Sequence, residues 1–109
     1  MLIDDGLAHI TWNIGHNVSH RAIRRAAWVQ VRTALLEFKK SEVDLNEIGF
    51  FGTYPMPTSG GQPQETFVIK VRYALPDIEL AALQHATVNT IYQLAYKADI
   101  YGFFRPRPI

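Results

Sequence analysis

An α+β domain is what this sequence predicts. Apolar residues recur at every second position over 7–14 and again over 67–75, and between these runs they recur at helical spacing over 23–38. Turn-forming residues, Pro55, Pro57, Gly60, Gly61 and Pro63, punctuate the stretch before the second alternating run. Two pleated, half-buried segments and an amphipathic helix in one short chain are the ingredients of a sheet covered by helices.

The first strand is expected over Leu7–Ile14, with Ala8, Ile10, Trp12 and Ile14 facing a core and His9, Thr11 and Asn13 facing the other way. Asn17 or Ser19 is suited to cap a helix whose apolar stripe is Ile23, Ala27, Val31, Ala34, Leu35 and Phe38. That helix is expected to end near Lys40 or Ser41, where Lys39 and Lys40 oppose the negative end of the helix dipole. A second strand then sets Ile48, Phe50 and Tyr54 on one side and Gly49, Phe51 and Thr53 on the other. Residues 55–64 read as a flexible hairpin loop.

In the third strand the alternation assigns Phe67, Ile69, Val71, Tyr73 and Leu75 to the core, and Thr66, Val68, Lys70, Arg72 and Ala74 to the opposite face. A second helix, capped by Asp77, is expected to run to about Ile100 with Leu80, Leu83, Ile91, Leu94, Ala98 and Tyr101 as its stripe. Phe103 and Phe104 would add a short edge strand before an extended tail, 103–109, interrupted by Pro106 and Pro108. The order strand, helix, strand, strand, helix and an optional last strand is that of a ferredoxin-like split βαβ domain, with both helices on one face of an antiparallel sheet.

The 109 residues suit one domain, and 48% hydrophobic with 19% charged residues is the composition of a chain that folds. Eleven basic against ten acidic residues leave a net charge of +1, without the excess that marks a dedicated nucleic-acid binder. There is no cysteine, so disulfides and thiolate metal sites are excluded. No apolar run approaches the ~20 residues of a membrane span, and a cytoplasmic location is expected.

If the first and third long strands are central neighbours, the open face gathers His9, Thr11 and Asn13 with Val68, Lys70 and Arg72, joined by Phe51 and Thr53. Two fixed cations, an imidazole and an aromatic ring suit an anionic or aromatic ligand. The turn before the first helix adds His16, His20 and Arg21 near unpaired helix N–H groups, a second place for an anion. His16 and His20 are four apart, but a third ligand could come only from Asp4, Asp5 or His9, and neither metal nor cofactor is expected. Arg21, Arg25, Trp28, Arg32 and Lys39 fall near one side of the first helix, an aromatic among cations.

There is no Gly-flanked serine, no cysteine nucleophile, and no acidic pair placed on adjacent strand positions for acid and base work. The reading that follows is a non-enzymatic binding or assembly module, a homo-oligomer and most simply a dimer, capturing an anionic ligand or a partner protein on its open sheet face. One alternative is a small enzyme with His9 as general base and Lys70 and Arg72 as anion stabilisers, enclosed by paired sheets. The other is a single-stranded nucleic-acid binder using the basic face of the first helix.

Overall fold

A computed structural model describes residues 2–4, 6–16, 18–41 and 44–106. The chain runs β1 (Leu2–Asp4), β2 (Leu7–Asn13), α1 (His20–Lys40), β3 (Glu47–Met56), β4 (Gln64–Ala74), α2 (Leu80–His85) and β5 (Lys97–Ile100). Short 3₁₀ turns occupy Leu75–Asp77, Ile91–Leu94 and Gly102–Phe104. Among the described residues the sheet has five strands in sequential order, β1-β2-β3-β4-β5. β2 and β3 are parallel and the other pairs antiparallel, so the sheet is mixed.

This is an α+β fold, but not in ferredoxin-like order. That order would put β2 beside β4, whereas β3 lies between them, parallel to β2 and antiparallel to β4. The β2–α1–β3 crossover brings two consecutive strands side by side, as a helical connection between parallel strands permits. The β3–β4 hairpin then fixes β4 on the far side of β3.

Alternation in β2 and β3 holds as read. Ala8, Ile14, Ile48, Phe50 and Tyr54 are buried on the face covered by α1, with Ile10 and Trp12 half-buried beside them. Ser19 is the N-cap of α1, its hydroxyl accepting from the Ala22 N–H at 3.1 Å, and Asn17 lies outside the described residues. The helix buries Ile23, Ala27, Val31 and Leu35 as expected, and Trp28 as well. The indole of Trp28, assigned by spacing to a basic surface, donates to the Phe104 carbonyl at 2.7 Å.

In β4 the expected faces hold for Ile69, Val71 and Tyr73 but are exchanged at Phe67 and Val68. The β3–β4 register shifts between Gly52 and Thr53, so Gly52 opposes Ile69 while Thr53 opposes Phe67. Val68 is the extra residue and turns inward to full burial, and Phe67 is left 48% exposed on the opposite face. A β-bulge inserts one residue and thereby breaks the period of two.

The long second helix does not form. α2 has six residues, and its N-cap is Glu79 rather than Asp77, which closes the preceding 3₁₀ turn. Thr87, Val88, Asn89 and Thr90 explain the interruption. The Thr87 N–H donates to Thr90 Oγ1 at 2.9 Å and the Asn89 N–H to Thr87 Oγ1 at 3.2 Å, local bonds that compete with helix. Lys97–Ile100 instead pairs with Ile69–Arg72 as β5.

Phe103 and Phe104 form a 3₁₀ turn, not a strand, and Phe104 is fully buried. The turn is anchored on α1 through Trp28 and through Arg24, whose guanidinium donates to the Phe103 carbonyl at 3.4 Å. The tail is therefore packed on its own domain as far as Pro106, and Arg107, Pro108 and Ile109 lie outside the described residues.

Tyr73 closes the core on the β4 side, donating its hydroxyl to the Ile91 carbonyl at 3.1 Å. Burial pushes its phenol above the ordinary value of 10.0. The folded state thus keeps a proton that the unfolded chain releases near pH 10, and stability is retained below that pH and falls above it. Tyr73→Phe is expected to cost about 1 kcal/mol at neutral pH by leaving the Ile91 carbonyl unpaired. Above pH 10 its stability should decline less steeply than that of the parent, as urea titrations at stepped alkaline pH would read; parallel slopes would refute the assignment.

Candidate functional site

The open face of the sheet lies opposite α1 and is built around a glycine. Gly49 in β3 has His9 of β2 on one side and Arg72 of β4 on the other. Without a side chain at 49, the Phe51 ring lies back along the strand over it; a Cβ there would stand 2.9 Å from the ring and 3.4 Å from His9. Covering a strand glycine with an aromatic ring restores packing that the glycine cannot supply.

Three groups converge on this ring. His9 meets Phe51 edge-on with centroids 5.3 Å apart. The Arg72 guanidinium carbon lies 5.2 Å from the Phe51 centroid, within cation–π range. Arg72 Nη1 also approaches His9 Nε2 at 3.5 Å. A guanidinium only donates, so Nε2 of His9 is the acceptor in this contact. The same Nη1 lies 4.0 Å from Glu47 Oε2, while Glu47 Oε1 is buried and unpartnered among the described residues.

A second aromatic extends the patch. Phe67, turned outward by the bulge, meets Phe51 edge-on at 6.4 Å, and Lys70 Nζ lies 5.7 Å from the Phe67 centroid. Thr53 donates its hydroxyl to Asn13 Oδ1 at 2.6 Å, tying the β2 and β3 ends of the patch together. Opposite Lys70 and Arg72, β5 contributes exposed Asp99 and Lys97.

Of the residues anticipated for this face, His9, Asn13, Phe51, Thr53, Lys70 and Arg72 are on it, and Thr11 is an exposed member at the β2 side. Val68 is not. The route differs from the one anticipated: β3, carrying Gly49 and Phe51, bridges strands that were expected to touch. Glu47 and Phe67 were missed as members, and Glu47 alters the electrostatics by engaging one of the two cations.

His16 and Arg21 belong elsewhere. His16 Nδ1 is 3.0 Å from the Tyr54 hydroxyl, on the α1 side of the sheet. Tyr54 also meets Phe104 edge-on, and Phe103 stacks on His20 at 4.2 Å. Arg21 is exposed on the first turn of α1. Among the described residues, no three His, Cys, Asp or Glu side chains are grouped to hold a metal.

No family model matches the chain, and no curated protein or solved structure resembles it significantly.

Two cations on the basic side of α1, Arg32 and Lys39, are engaged in holding the fold, while Arg21 and Arg25 are exposed. Arg32 donates to the Ala86 and Gln84 carbonyls at 2.7 and 3.2 Å, and Lys39 to the Leu75 carbonyl at 2.9 Å. With Trp28 buried, the stacking aromatic of the nucleic-acid reading is absent from that surface. An open cleft of about 610 Å³ beside it is lined by Arg25, Arg32, His85 and the 86–90 loop. No described helix is long and apolar enough to cross a membrane.

Proposed function

We propose that this chain is a non-enzymatic, homo-oligomeric binding module of the cytoplasm whose open sheet face captures an anionic ligand carrying a flat apolar part. The observation that carries this reading is the pairing of cations with rings: Arg72 over Phe51, and Lys70 over the half-exposed Phe67. Lys70 and Arg72 are two residues apart on β4 and point the same way, so one phosphate or carboxylate can be held between them while an attached ring lies on Phe67.

His9 serves this face as a spacer. Its Nε2 faces the Arg72 guanidinium, which favours holding Arg72 in place over accepting a proton from a substrate. Glu47, 4.0 Å from the same guanidinium, moderates the charge and keeps Arg72 from closing the patch as a bare cation.

The test is a thermal-shift and calorimetric series with inorganic phosphate, a nucleoside monophosphate and an aromatic carboxylate. The ligand with both anion and ring should bind more tightly than phosphate. Arg72→Ala and Lys70→Ala should each weaken it by about tenfold or more, the loss of one charge-assisted contact. Wild-type protein that binds none of the three, or variants that bind as well as the parent, would overturn the reading.

A further inference from the structure

We infer that the outer edge of β2 is a self-pairing surface: two copies join β2 to β2 in antiparallel fashion, sealing an apolar groove between strand and helix. This rests on the homo-oligomeric part of the reading above and names the surface that performs it.

The first observation is an unpartnered stretch of strand. Among the described residues, β1 pairs with β2 from Leu7 to His9. Further along, the Ile14 N–H donates to the Thr53 carbonyl at 2.8 Å, and the Trp12 carbonyl accepts from the Thr53 hydroxyl, so the even-numbered backbone groups of β2 point to β3. Successive residues of a strand present their N–H and C=O to opposite sides. The backbone groups of Thr11 and Asn13 therefore point to the outer edge, where no described strand meets them. Sheet edges are ordinarily blunted by charge, proline or a bulge. β5, at the opposite edge, carries Lys97 and Asp99, whereas Ile10–Asn13 carry none of these devices.

The second observation is the groove beside that edge. Ile10, Trp12 and Phe50 of the sheet and Gln30, Val31 and Ala34 of α1 line a space of about 210 Å³. The single polar atom of the Trp12 ring is already satisfied, its Nε1–H donating to Gln30 Oε1 at 2.7 Å. The indole can thus be covered without leaving a donor unpaired. Val29, one residue before Gln30, is 40% exposed.

What fits is a strand with apolar residues toward the groove and polar ones toward the open face, and β2 itself has that pattern. With the two-fold axis at Trp12, Thr11 of one copy opposes Asn13 of the other, outward-pointing backbone meets outward-pointing backbone, and the two indoles meet over the joined grooves. Charge favours a like partner. A two-fold contact brings groups close to its axis near their own copies, and Ile10, Thr11, Trp12, Asn13, Gln30 and Ala34 carry no charge. The product is a sheet that continues from one copy to the other along Thr11–Asn13, with the two open faces on the same side and the rings and cations of each copy, on β3 and β4, one and two strands from the junction.

Light scattering and sedimentation of the full chain across micromolar to submillimolar concentrations should report twice the 12.4 kDa chain mass. Amide exchange at Thr11 and Asn13 should slow as concentration rises. Ala34→Arg, which fills the groove from the helix and leaves the sheet intact, should give a folded monomer whose affinity for the probes of the open face is unchanged. Thr11→Pro, which removes the outward N–H, should do the same to the mass, with circular dichroism confirming the fold. A monomeric parent, or a dimer that both variants leave intact, would overturn the proposal; ligand binding lost with the dimer retained would count against the open-face reading alone.

Discussion

Trp28→Ala is expected to cost about 3–5 kcal/mol, the range for removing a large aromatic from a closed core. Trp28 is 1% exposed, and its indole N–H holds the Phe104 carbonyl at 2.7 Å. Both the cavity and the orphaned carbonyl count against the variant. In a domain of this size the melting temperature should fall by more than about 12 °C, and the variant can be unfolded at 37 °C. Trp28→Phe separates the contributions. It keeps most of the apolar volume and loses the hydrogen bond, so it should fall between parent and alanine variant, with increased proteolytic cleavage around 101–106. A shift of less than about 4 °C for the alanine variant would show that the tail is not closing the core through this residue.

The second large effect is expected at Gly49. A valine there places its Cβ where the Phe51 ring and His9 now lie, at 2.9 and 3.4 Å. Overpacking of this kind costs about 1–3 kcal/mol, against a gain of up to about 1 kcal/mol from the better strand former. A net loss is expected, accompanied by expulsion of Phe51 from its place under Arg72. Binding of the anionic probes should suffer more than stability does. Gly49→Ala, with the Cβ alone, should show the same pattern at smaller amplitude. A valine variant as stable as the parent and binding equally well would mean that the ring does not organise the patch.

Legibility in the sequence followed the range of the forces involved. The faces of β2 and β3 were readable because one side of each strand is buried under α1 and the other is not, which stamps a period of two on the residues. Ser19 and the stripe Ile23, Ala27, Val31 and Leu35 were readable for the same local reason. Trp28 was not, since its burial depends on Phe104 arriving from 76 residues away. The bulge at Val68 left no mark in the alternation, and it alone decides that Phe67 rather than Val68 joins the open face. Residues 80–101 satisfy helical spacing on paper. The hydroxyls of Thr87 and Thr90, and the free edge of β4, offered that segment better hydrogen-bonding partners than a continued helix.

The candidate site was legible in membership more than in arrangement. His9, Asn13, Lys70 and Arg72 were assigned to one face correctly while the strand between them was not foreseen. Glycine followed by two aromatics, Gly49, Phe50 and Phe51, was the available signal: one ring goes to the core, and the other folds back over the glycine and becomes the floor of the patch.

The seat of the 102–104 turn on α1 also governs when the domain can form. Arg24 and Trp28 leave the ribosome before their partners Phe103 and Phe104, which follow 79 and 76 residues later. Contacts of that separation are slow to close, because the chain between them must be ordered first. During synthesis the helix therefore waits with its central indole uncovered, an apolar surface that chaperones and like chains can both reach. The fold is complete only once the 102–104 turn has arrived, so α1 is closed by the last of the described elements to be made.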